Sequence, residues 1–99
     1  REGFLGVIDP RHSNAYCTTF DKRFFPNVLF YLGYGGWRNT YSVIPQIATC
    51  WPGSLSEAVA AGRHRVLGAG EMAETKVDFL CLTGVRDEKD VRARVLDLN

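Results

Sequence analysis

The chain has 99 residues, which holds it to one small domain with a modest core. Twelve basic against eleven acidic residues leave a net charge of +1, which argues against a nucleic-acid partner, and 45% hydrophobic with 12% aromatic content argues against a disordered tail. No apolar run approaches the ~20 residues of a membrane helix, and no signal-peptide pattern opens the chain, although a leader removed ahead of Arg1 would leave no trace.

Residues 4–8 are apolar and stop at Asp9-Pro10, a turn initiator, so they predict a first strand. A polar loop, Arg11-His12-Ser13-Asn14, leads to a second strand at 15–20. Asp21-Lys22-Arg23 and Pro26-Asn27 break the chain again. Residues 28–34 are almost continuously apolar and aromatic, the composition of a strand covered on both faces. Gly35-Gly36 interrupts it, allowing positive φ or a close backbone approach. Strand character resumes at 40–48, where Pro45 implies an edge position or a bulge.

Pro52-Gly53-Ser54 opens a short helix over 55–61, with Ser54 and Glu57 as a capping box and Gly62 as the residue after the cap. Residues 64–67 predict a short strand, Gly68-Ala69-Gly70-Glu71 a turn, and 74–83 the best strand of the chain. In that strand Thr75, Val77, Phe79 and Cys81 share one face; Lys76 and Asp78 begin the other, which turns apolar at Leu80 and Leu82. Residues 85–99 carry four basic and four acidic residues. Val91, Val95 and Leu98 sit at helical spacing there, which reads as a short amphipathic helix with acids at its start or as a charged, frayed tail. The division is therefore 1–84 as a β-sandwich and 85–99 as a charged C-terminal tail. The architecture is mostly β and antiparallel, with five to seven strands; nothing alternates strand with long helix, so a parallel α/β sheet is excluded.

Cys17, Cys50 and Cys81 form no C-x-x-C, and His12 and His64 lie outside zinc-ligand spacing, so neither a metal site nor a disulfide framework is expected. Buried free thiols in a reducing, cytoplasmic setting are the default. No phosphate loop, dinucleotide fingerprint or nucleophile elbow occurs, and no cofactor is implied. Gly33-Tyr34-Gly35-Gly36 lacks the Lys and the following helix of a nucleotide loop. Asp9, His12 and Ser13 are neighbours in sequence only, which says nothing of triad geometry.

One cluster can carry recognition: Tyr31, Tyr34, Trp37, Arg38 and Asn39, with Gln46 and Trp51 further on. A sugar presents an apolar C–H face and a rim of hydroxyls. A flat ring packs on the first, and planar Arg, Asn or Gln groups bond the second. The plain alternative is a β core whose aromatics are buried.

The order Tyr34-Gly35-Gly36-Trp37-Arg38, a strand, Thr49-Cys50-Trp51-Pro52, Leu55 with Glu57-Ala58-Val59 and Gly62, then Leu67-Gly68-Ala69-Gly70-Glu71 and Glu74-Thr75, resembles the C-terminal part of the galactose mutarotase-like (aldose 1-epimerase-like) family over about residues 28–83. The resemblance implies an antiparallel β-supersandwich that holds a monosaccharide in a groove. It implies Tyr34, Trp37, Arg38 and Trp51 as substrate-binding residues. It also implies that family members run roughly two to three times this length, so that this chain lacks the half with the catalytic histidines. A missing N-terminal segment or a homo-oligomer would then cover open sheet edges.

Counting back from Thr49-Cys50-Trp51-Pro52, the family's general-base glutamate falls on Gln46. Epimerisation needs a carboxylate to take the anomeric hydroxyl proton, and an amide cannot titrate near neutral pH. No carboxylate lies between Arg38 and Ser56. The expectation is monosaccharide binding with epimerase activity weak or absent. Two alternatives stand beside it. One is an active isomerase completed by another segment or subunit. The other is a structural or interaction β-module, in which Trp37 and Trp51 would be fully buried.

Overall fold

The computed structural model describes residues 2–51 and 53–98, the side chain of Leu98 aside. Pro52 of the helix-opening triplet and the Leu98 side chain of the amphipathic set lie outside the described residues. The fold is mostly β: five antiparallel strands in two sheets with two short helices, a small sandwich-like arrangement.

Strand β1 (Glu2–Asp9) and β2 (Asn14–Asp21) form a hairpin, and β5 (Val77–Leu82) pairs antiparallel on the far side of β2. The register Ile8↔Ala15↔Leu82 and Gly6↔Cys17↔Leu80 gathers one apolar face. Helix α2 (Glu88–Leu98) lies on that face, so Ala15, Cys17, Val85, Val91 and Val95 form the buried core, with Phe4, Ile8, Leu80 and Leu82 around it. The valines at 91 and 95 face inward as their spacing predicts, and the charges of this segment stay outside apart from the mostly buried Asp90 side chain. Asp87 starts the helix by accepting from the Asp90 amide at 2.8 Å; Asp90 in turn accepts from the Arg86 amide at 3.0 Å.

Strands β3 (Asn27–Tyr34) and β4 (Tyr41–Ala48) make a separate two-stranded ribbon. Pro45 is tolerated because both of its strands are edges. Opposite residues in the register project to the same side. Val28/Ile47, Phe30/Pro45, Leu32/Val43 and Tyr34/Tyr41 therefore build one wholly apolar face, and Leu29/Gln46, Tyr31/Ile44 and Gly33/Ser42 the other. The sequence predicts cover on both faces of 28–34. Instead Val28, Phe30, Tyr31, Leu32 and Tyr34 are all exposed, because the other described elements leave much of both ribbon faces uncovered.

Helix α1 (Leu55–Ala60) starts as expected, with the Ser54 hydroxyl accepting from the Glu57 amide. It ends in a Schellman arrangement: Gly62 at φ 70° donates to the Val59 carbonyl and Arg63 to the Ala58 carbonyl. The expected strand at 64–67 does not form. Arg65 ties that stretch down instead, donating to the Arg23 and Phe24 carbonyls at 2.9 and 2.6 Å with its guanidinium 4.1 Å from the Phe24 ring centre. Strand β5 starts later than the expected 74, at Val77, where pairing with Phe20 begins.

Candidate functional site

The β3–β4 connection builds the site. The Thr40 amide donates to the Trp37 carbonyl at 2.9 Å, and Arg38 and Asn39 both sit at positive φ, 49° and 55°. Two central residues at positive φ mark a type I′ turn, whose twist matches the flanking strands. Gly35, at φ 86°, begins the loop and donates to the Thr40 carbonyl at 2.9 Å. The loop thus turns Trp37 back toward the ribbon.

Trp37 walls a cavity of about 240 Å³ with Tyr31, Gly33, Tyr34, Thr40 and Ser42 among its lining. That is slightly below the ~300–1,000 Å³ of pockets for drug-sized ligands, a fit for one small ring. Gly33 keeps its floor open: a Cβ there would stand 2.9 Å from the Ser42 Oγ. The Arg38 guanidinium lies 5.0 Å from the Trp37 ring centre, a cation–π contact that sets a planar donor beside the indole. Three aromatic residues and the hydroxyl-bearing Thr40 and Ser42 line the cavity, a combination suited to a ligand with an apolar face and a polar rim.

Tyr34 and Trp37 line this cavity, and Arg38 lies against the Trp37 ring without lining it. Gln46 does not join them. It is exposed on the same ribbon face as Ser42, four residues along β4, which is ~14 Å at strand rise. Trp51 stands outside this cavity; its carbonyl accepts from the Arg63 guanidinium next to α1. Both indoles are open, 68% exposed for Trp37 and 54% for Trp51. The buried-core alternative requires the opposite. Thr40, Ser42 and Gly33 were not singled out from sequence. The signal was present: strand alternation from Tyr31 reaches Gly33, and the hairpin register sets Ser42 across from it.

Elsewhere, the His12 Nδ1 bonds the Asp9 carboxylate at 2.6 Å, which holds that carboxyl below its usual range. The pair sits exposed on the β1–β2 turn, away from the cavity. Cys17 is buried, and burial pushes its thiol up; Cys81 is exposed, contrary to the expectation of buried thiols, because it lies on the face of β5 opposite α2. Among the described residues no group of three or more His, Cys, Asp or Glu could hold a metal ion, and no helix is long and apolar enough to cross a membrane. No family model, curated protein or solved structure matches this chain.

Proposed function

We propose that this chain is a carbohydrate-binding, mutarotase-like β domain that takes a monosaccharide at the turn of its β3–β4 ribbon, with little or no epimerase activity of its own. The observation that carries the reading is the cavity lined by Tyr31, Tyr34, Trp37, Thr40 and Ser42, with Arg38 stacked on the Trp37 ring. The pyranose C–H face would rest on the indole, and its hydroxyls would meet the hydroxyl and guanidinium groups. The antiparallel two-sheet fold is of the β class that the resemblance implies. Gln46 supplies no titratable group, and its distance along β4 gives the cavity no base from that position. Three free cysteines support a reducing compartment, the cytoplasm.

Fluorescence titration tests this. In Trp51→Phe the remaining indole is Trp37, and galactose or glucose should change its emission saturably in the millimolar range, a binding free energy of about −4 kcal/mol. Trp37→Ala should weaken binding at least tenfold by a probe-independent method such as calorimetry. An emission unmoved by either sugar, or calorimetric binding undiminished in Trp37→Ala, would remove the basis of the reading.

A further inference from the structure

The apolar face of the β3–β4 ribbon is the least satisfied surface of the molecule. Val28, Phe30, Leu32, Tyr34, Tyr41 and Val43 project from it side by side, and each is exposed. Contiguous apolar patches on soluble domains are where partners dock. We infer that this face is a homodimer interface, closed by the same face of a second copy of the chain.

Two observations select a second copy as the occupant. The first is area. A compact protein of 11.1 kDa exposes about 5,700 Å² by size scaling, whereas this chain exposes 7650 Å². The excess is about 2,000 Å² per chain; hiding half or all of it in two copies buries ~2,000–4,000 Å² together, the range of obligate homodimers. The radius of gyration agrees: 16.5 Å against about 13 Å for a compact domain of this length.

The second is charge. Residues 27–34 and 41–48 contain no Asp, Glu, Lys, Arg or His. The face offers nothing for a charged partner to complement. It also carries no like charges that would repel when the face meets itself.

The Trp37 cavity shares Leu32 and Tyr34 with this face and takes Tyr31, Gly33 and Ser42 from the other, so dimerisation would narrow it from one side. The inference is independent of the sugar reading.

Sedimentation equilibrium of the 99-residue chain from about 1 to 100 μM decides it. The expected species is a dimer of about 22 kDa, twice the 11.1 kDa chain. Leu32→Asp, at the centre of the face, should raise the dimer dissociation constant at least ~30-fold, as loss of a central anchor does. Tyr31→Asp, on the opposite face, should leave it within a few-fold. Should Leu32→Asp fail to fold, amide exchange of the native chain substitutes. Residues 27–34 and 41–48 should gain protection with rising concentration, while 14–21 stay unchanged. A monomer throughout the range would assign the face to a different polypeptide and overturn the inference. A mass that keeps climbing past the dimer, or a folded Leu32→Asp that dimerises as well as the native chain, would overturn it as well.

Discussion

At position 46 an amide occupies an exposed place on the ribbon, and no side chain in the described cavity can take its part as a base. Polarimetry of fresh α-galactose should therefore show mutarotation at the buffer rate even at high protein concentration. A protein-dependent acceleration would mean that another group supplies the proton transfer. Val95 is 1% exposed at the centre of the core, and Val95→Ala should destabilise the fold by about 2 kcal/mol in urea unfolding. Asp90 is held below the usual carboxylate range, first by the Arg86 amide and then by Arg94. A depressed folded pKa contributes stability above the unfolded value of ~3.9, and that contribution is lost as pH falls through the folded value. Asp90→Asn should thus unfold at lower urea than the native chain at pH 7, and the gap should close as pH falls below about 4.

Elements were legible where local chemistry decides them. The turn-bounded strand stretches 4–8 and 15–20, the Ser54–Glu57 start and Gly62 end of α1, and the spacing of Val91 and Val95 all act within a few residues, so their patterns survive in the fold. Two features were not legible for the same reason. Residues 64–67 have strand composition but no neighbour to pair with, and Arg65 fixes them through two carbonyls that only the folded chain brings near. The apolar run at 28–34 reads as doubly covered, but cover depends on what stacks on it, which composition does not encode. Arg65→Lys should fail to hold that loop, since an ammonium lacks the planar fork that reaches both carbonyls and stacks on Phe24. Limited proteolysis should then cut within residues 64–76 several-fold faster than in the native chain, and equal rates would show that other contacts hold the loop.

Across the whole molecule, the two sheets divide the work. The β1–β2–β5 sheet and α2 hold the core, while the ribbon carries the exposed aromatics. Of the candidate site, the grouping of Tyr34, Trp37 and Arg38 was readable because a six-residue loop contains or adjoins them. The separation of Gln46 and Trp51 was not, because it follows from strand register and from the course of the chain into α1. The central claim is that the Trp37 cavity binds a pyranose by its apolar face. Saturation-transfer NMR with galactose tests it most directly. Irradiating the protein's aromatic protons should transfer saturation to C–H protons on one face of the sugar ring, and the transfer should vanish in Trp37→Ala. No transfer in the native chain, or equal transfer in the variant, would contradict the account.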